Sequence, residues 1–539
     1  MTSTSTQLPG SRGTIPRVSG GLPLLGHLLE LRRRPIELMK RGHDECGEIG
    51  EIRIGRHPVV FLYGEEAHEA FFRAPDEQLD QAAAYPFMKP IFGAGVVFDS
   101  GTPEQRKQAM KNAALRDKLM RGHAETIAHE TERMIESWGE GGEIDLLDFF
   151  GELTIYTSSA CLIGKEFREE LTPEYTRLFQ ELERGTDWIA YVSPHLPLPS
   201  FRTRDRARRR LVELIQEIID SREREKRHTS DLVSVLTALK DENGSPRYDA
   251  DRIAGTFISL MFAGHHTTSG TAAWTLIELL RHTSITKDII SELDTMFADG
   301  RDVSYQVLRE IPELECAIKE SLRLHPPLVM LSRVVAEAFE YKGWRIPTGQ
   351  TISVSTAVSN RMHEHFPDPE TFDPDRYKRD PAADRRVFAW LSFGAGRHRC
   401  VGAQFALMQL KTIFSVLLTR YEFEPAQSPD SYRNDESKMV VQLEQPCRVR
   451  YRRRASIRTA TTDRKPDTGA ADAEGRQLRV DLDLCQGHGV CVGEAPALFE
   501  IDPVESKVRL RRTDVPDDLH AAAKRAVKFC PTAALRLDD

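Results

Sequence analysis

The chain has 539 residues, room for more than one domain, so its length sets no domain count and motif content must decide. A formal net charge of −8 argues against nucleic acid or an anionic membrane surface as a partner. No apolar run of about eighteen residues occurs, and the N-terminus MTSTSTQLPGSRGTIPRVSGG lacks the basic-then-apolar order of a signal peptide, so no membrane span is expected and a cytoplasmic protein is.

Residues 1–20 read as a tail, and helical patterns dominate from about 21 to 452 with short strands between them. AYPFMKPIFGAGVVFD, Ala84 to Asp99, reads by composition as an aromatic loop closing a pocket. A long apolar helix is predicted from about Asp249 to His282, and it contains AGHHTT. A mid-helix threonine usually only bonds back to a carbonyl one turn earlier, but with an ordered water it can relay protons. ECAIKESLRLHPP places Glu320 and Arg323 three apart on one helix face. FEYKGWRIPTGQTISVST predicts two short strands joined through Gly343 and Pro347.

FGAGRHRCVG, Phe393 to Gly402, sets Cys400 among Gly394, Gly396 and Gly402, where the lack of a Cβ lets the chain turn tightly and a flat group approach. The helical pattern that follows would point its positive end at the sulfur and lower its pKa. Residues 453–477 contain almost no large aliphatic side chain and read as a linker, with an end-to-end distance of roughly 25–30 Å as a flexible coil. Alternation returns at LRVDLDLC, so the chain divides into 1–452, the linker 453–477 and a small domain 478–539. That domain holds CQGHGVC, with Cys485 and Cys491, and VKFCPTAAL, with Cys530 before Pro531. The remaining cysteines, Cys46, Cys161, Cys316 and Cys447, are expected to be ordinary buried thiols.

The Cys400 string resembles the haem-binding loop of the cytochrome P-450 superfamily. The resemblance implies a mainly α fold with small β-sheets, haem b with Cys400 as axial thiolate, and O–O cleavage chemistry. By the same resemblance His398, Arg397 and Arg333 lie near the haem propionates. Glu320, Arg323 and Arg376 form a structural triad, and Ala263, Gly264 and Thr267 make the oxygen-activation segment. The C-terminal cysteines resemble a single-cluster bacterial ferredoxin, implying a small α+β domain with Cys485, Cys491 and Cys530 on an iron–sulfur cluster. His488 stands where the family has its middle cysteine. The favoured cluster is therefore 3Fe-4S; a 4Fe-4S cluster with His488 as fourth ligand, or a zinc site, stays open.

Two strings are sharper. His266 before Thr267, and Tyr85, Phe87, Pro90, Phe92, Gly93, Val96 and Asp99, resemble the sterol 14α-demethylases. That resemblance implies Thr267 and His266 in proton delivery, and Tyr85, Arg106 and Lys107 at the haem propionates. It further implies a sterol cavity lined by Phe87, Met88, Phe92, Leu328, Met439 and Val440, with Phe87 favouring a singly C4-methylated sterol. The implied partners are a 14α-methyl sterol, dioxygen and, since no dinucleotide fingerprint is present, a separate NAD(P)H-dependent ferredoxin reductase. Two other readings are a mono-oxygenase of a terpenoid or fatty acid, and a haem-based redox or gas sensor.

Overall fold

The computed structural model describes residues 13–93, 117–455 and 477–538, apart from 171–172, 184–189, 191–192, 228–231, 241–242, 299–300, 483–484, 486, 503–506, 531 and 533. Val96, Asp99, Arg106, Lys107 and all of 456–476 lie outside the described residues.

The N-terminal part begins with α1 (Pro35–Cys46) and a hairpin, β1 (Ile49–Ile54) with β2 (His57–Leu62), followed by α2 (Glu65–Arg73) and β3 (Leu79–Asp80). Next come α3 (Asp117–Ile135), β4 (Gly141–Asp145), α4 (Leu146–Ser158), α5 (Pro199–Arg224) and α6 (Ala250–Arg281). The large domain is completed by α7 (Pro312–Leu324), β5 (Leu331–Val335), β6 (Thr351–Val354), α8 (Ala403–Arg420), β7 (Tyr421–Pro425) and β8 (Arg448–Arg453). One five-stranded sheet has the order β1-β2-β6-β5-β3, with β2 parallel to β6 and the other pairs antiparallel.

Helix α6 forms where the sequence predicts it. Asp249 caps it, accepting from the Arg252 amide at 2.9 Å. Its 32 residues span about 48 Å, and it is buried on nearly all sides against α4, α5 and α7, the pattern of a core helix. The segment Leu146–Ile163 is apolar and long enough to cross a membrane by length and composition, but it is interrupted by Asp148 and Glu152 and 78% of it is buried in the core. The Phe339–Val354 region also departs from expectation. Phe339–Tyr341 and Trp344–Ile346 make a tight hairpin with Lys342 and Gly343 both left-handed (φ 47° and 82°), and Thr351–Val354 leaves it to join the five-stranded sheet. There are three strands here, because Gly343 and Pro347 each mark a separate turn.

The C-terminal domain pairs β9 (Gln477–Val480) with β12 (Leu535–Asp538) and β10 (Phe499–Ile501) with β11 (Val508–Leu510). Helices α9 (Val490–Glu494) and α10 (Asp517–Lys528) cover them around Cys491, Leu498 and Phe499. Arg453 closes β8 and the Arg454 guanidinium pairs with Asp294 at 2.7 Å, so these two residues of the expected linker are part of the large domain; Gln477 likewise pairs with Asp538.

The two domains touch. Arg309 pairs with Glu494 at 2.5 Å and lies 3.8 Å over the Phe529 ring, and Arg73 pairs with Asp481 at 3.2 Å. Ala534 packs into the cluster that contains Phe72 and Phe388, with Cys485 and Cys530 at its edge.

Candidate functional site

The Cys400 loop is folded by its glycines and by hydrogen bonds from distant parts of the chain. Gly394 and Gly396 are left-handed (φ 66° and 64°), and a Cβ on Gly396 would lie 2.4 Å from the Phe72 carbonyl oxygen, so glycine is required there. The Cys400 amide donates to the Phe393 carbonyl at 2.9 Å, closing the turn three residues before α8 begins. Although Cys400 keeps accessible surface, the protein packed around it desolvates the thiolate and raises its pKa, and the Gly402 amide and Arg399 oppose this without prevailing. The lowering expected from the helix end is thus outweighed: desolvation of a thiolate costs more than these partial charges return.

The loop rests on a buried charge network. Arg323 holds Glu320 through two hydrogen bonds of 2.9 and 2.8 Å, and Arg376 adds a third at 2.9 Å, with all these side chains buried. Arg323 also donates to the Asn360 carbonyl at 2.9 Å. The Asn360 side chain accepts from the Leu391 amide at 2.8 Å and donates to the Ser392 hydroxyl at 3.0 Å. Asn360 therefore joins the triad to the residue preceding the loop, a link with no local signature in the sequence.

On the sheet side, Ser332 in β5 donates its amide to the Tyr85 hydroxyl at 3.0 Å, and the next residue, Arg333, is buried with its guanidinium 5.2 Å from the Phe71 ring centre. Among the described residues no carboxylate forms an ion pair with Arg333, and burial lowers its pKa. His398 hydrogen-bonds Asp76 at 2.6 Å and feels Arg333 and Arg397 electrostatically. Tyr85, Arg333 and His398 thus gather on one side of the loop, while Arg106 and Lys107 lie outside the described residues.

In α6, the Thr267 hydroxyl donates to the Ala263 carbonyl at 2.7 Å, one turn back. A Cβ on Gly264 would meet the Ser158 hydroxyl at 3.1 Å, so the helix packs closely there. His266 stacks edge-on to Phe262 at 5.4 Å, and its carbonyl accepts from Gln442 at 2.9 Å. Gln442 packs against Gly270, whose missing Cβ makes room for it at 3.0 Å. Sequence reasoning passed over Gln442, although Gly270 in the helix was the available signal.

The expected sterol wall divides. Phe87 has no accessible surface and packs against Ala190, Phe201 and Met439. Phe92 (5% exposed) packs edge-on to Phe262 at 5.7 Å, and Met88 and Val440 are half-buried. Leu328 is 43% exposed although Pro327 and Val329 beside it are buried.

A planar cofactor fits this arrangement. Cys400 and Ala263 keep accessible surface while Arg399 before the one and Met261, Phe262 and His265 around the other are buried, which leaves the thiol and the small helix residue open to a flat group. A soft thiol at one wall, and a buried guanidinium lacking an anion at its edge, are the donor set that a haem with acidic side chains needs. In the C-terminal domain, Cys485, Cys491 and Cys530 are close enough to perturb one another: burial, then Cys530 and Cys485, push the Cys491 thiol up to about 12. The Val508 amide donates to the Cys485 sulfur at 3.3 Å, a contact that suits a cluster-bound thiolate. Cys161, Cys316 and Cys447 are buried thiols, and Cys46 is half-buried.

Fold and site together define a cysteine-ligated haem protein carrying an iron–sulfur module. The chain belongs to the cytochrome P450 family, whose sequence model matches residues 16–451, and a 4Fe-4S single cluster domain matches 478–537. It is therefore a haem-thiolate mono-oxygenase with an iron–sulfur domain at its C-terminal side. Sterol 14alpha-demethylase of Mycobacterium tuberculosis is 57% identical over 447 residues, 82% of this chain and 99% of that protein. Obtusifoliol 14-alpha demethylase of Sorghum bicolor is 34% identical (83% and 92%), and lanosterol 14-alpha demethylase of Homo sapiens is 34% identical (83% and 88%). The solved structure of retinoic acid bound cyanobacterial CYP120A1 has the same fold, with a TM-score of 0.72, 22% identity, and coverage of 83% of this chain and all of that one.

Proposed function

We infer that this protein is a sterol 14α-demethylase whose electrons arrive through its own C-terminal domain. The observation that carries the sterol assignment is the 57% identity spanning 99% of the mycobacterial sterol 14alpha-demethylase, joined by plant and human relatives of the same activity. The reaction removes one methyl group in three oxygenations: methyl to alcohol, alcohol to aldehyde, then loss of formate with a 14,15 double bond. Each consumes one dioxygen, two electrons and two protons; the first and third release one water and the second, from alcohol to aldehyde, releases two.

Bound at Cys400, a thiolate-ligated haem supplies the O–O cleavage that this chemistry requires. The chain's own groups do the rest. Arg333, Tyr85 and His398 hold the acidic edge of the cofactor, with Arg106 and Lys107 in the same role. The Thr267 hydroxyl, bonded to the Ala263 carbonyl, moves protons inward when it exchanges that carbonyl for water, and His266 stands beside it as proton source. Phe87, Met88, Phe92, Leu328, Met439 and Val440 give the long apolar slot a tetracycle needs. Cys485, Cys491 and Cys530 hold the cluster, and a three-iron form matches three thiolates. A separate NAD(P)H-dependent ferredoxin reductase feeds it, in the cytoplasm.

The test is binding. Titration of the purified chain with obtusifoliol or lanosterol is expected to shift the haem spectrum at micromolar concentrations, while a terpenoid and a fatty acid do not. A shift with the latter compounds and none with sterols overturns the sterol reading and leaves the haem assignment intact.

A further inference from the structure

His488 occupies the middle of the Cys485–Cys491 loop, and its ring reaches into the other domain. Its Nε2 lies 3.2 Å from the carbonyl oxygen of Val401, the residue joined to Cys400. Gly487 and Gly489 on either side are left-handed (φ 71° and 80°), so the loop turns sharply on both flanks of this residue. The contact is framed by the Arg309–Glu494 and Arg73–Asp481 ion pairs, by Arg309 over Phe529, and by Ala534 packed beside Phe72 and Phe388. It therefore belongs to a formed interface and is not an isolated touch.

A carbonyl oxygen accepts only, so the hydrogen bond requires a proton on Nε2 and commits that nitrogen to the interface, leaving the ring lone pair on Nδ1, while three thiolates match a three-iron cluster that needs no fourth ligand. We propose that His488 is not a cluster ligand but the residue that docks and couples the two metal loops: it ties the iron–sulfur loop to the peptide next to Cys400 and leaves the cluster with the thiolates of Cys485, Cys491 and Cys530. The proposal rests on the reading that the C-terminal domain is the haem's electron donor. In the transfer one electron leaves the cluster and one arrives at the haem iron. The imidazole is neither oxidised nor protonated, and no covalent bond forms or breaks; the His488 hydrogen bond and the Val401–Cys400 peptide supply a bonded route across the interface.

The test uses the full chain and needs no sterol. His488→Ala and His488→Gln are compared with the wild type for iron and acid-labile sulfide content, for the electron paramagnetic resonance spectrum of the oxidised cluster, and for the rate of haem reduction under carbon monoxide with NADPH and a ferredoxin reductase. The expected result is an unchanged cluster in both variants, haem reduction slowed about tenfold in His488→Ala, and most of that rate recovered in His488→Gln, which keeps an N–H donor. Loss of iron or an altered spectrum in both variants makes His488 a ligand and overturns the proposal. Haem reduction at the wild-type rate in a His488→Ala chain with an intact cluster overturns the coupling role. If the wild type itself reduces its haem only when separate ferredoxin is added, the donor reading fails, and the coupling role with it, while cluster composition in the variants still decides the ligand question.

Discussion

The Thr267 hydroxyl and the Ala263 carbonyl, 2.7 Å apart, form a bond that can open without breaking the helix, because the carbonyl remains part of the helical ladder. Removing the hydroxyl leaves the fold and cofactor site in place and removes the relay. Thr267→Ala is therefore expected to bind haem and sterol normally but to form about tenfold less product per NADPH consumed, less than a full general acid–base contribution because water partly substitutes. Thr267→Ser should retain most of the coupling. A sensor that uses its two cofactors only to exchange electrons would show no such separation between NADPH use and product.

At the scale of elements, α2 is fastened to the segment before the Cys400 loop by a histidine that has no room for a second proton. His68 is fully buried, and its Nδ1 donates to the Phe388 carbonyl at 2.8 Å. Burial lowers its pKa to about 4, against 6.5 for the free side chain. Between those values the unfolded chain binds a proton that the folded chain refuses, so stability is full above pH about 6.5 and falls as pH drops toward 4, by about 3 kcal/mol in all. Urea midpoints should decline over this window in the wild type and more gently in His68→Gln. Equal slopes would remove His68 from the account.

The same element shows what the sequence does and does not carry. The Cys400 loop, the span of α6 and the Glu320–Arg323 pair are local patterns, readable because spacing along one turn or helix determines them. His68 with Phe388, His398 with Asp76 and Asn360 with Leu391 are partners 31 to 322 residues apart, brought together only by tertiary packing. The Cys400 pKa fails for a related reason: the helix that would lower it is visible in the sequence, and the burial that raises it is not. Phe87 was legible as an aromatic in the right place, but its neighbours Phe201 and Met439, which take up its surface, were not.

At the scale of the whole molecule, fusion matters because the docking surface includes a charge pair with little exposure. Arg309 and Glu494 are 16% and 11% exposed, so a reversal of either sign leaves two like charges poorly solvated. Arg309→Glu should slow haem reduction by the attached domain about tenfold or more, with the spectra of both metal sites unchanged. Adding Glu494→Arg to that chain should restore part of the rate; restoration is incomplete because Arg525 also pairs with Glu494, at 3.1 Å. An unchanged rate in Arg309→Glu would mean that electrons cross elsewhere.

The proposed function puts both the demethylation chemistry and its immediate electron donor in one chain. It is tested most directly by turnover of the purified chain with a 14α-methyl sterol, NADPH and a ferredoxin reductase, with no ferredoxin added and products read by mass spectrometry. The account predicts the 14-demethylated diene together with formate. Product that appears only when separate ferredoxin is supplied would contradict the internal electron path, and no sterol product under either condition would contradict the demethylase assignment.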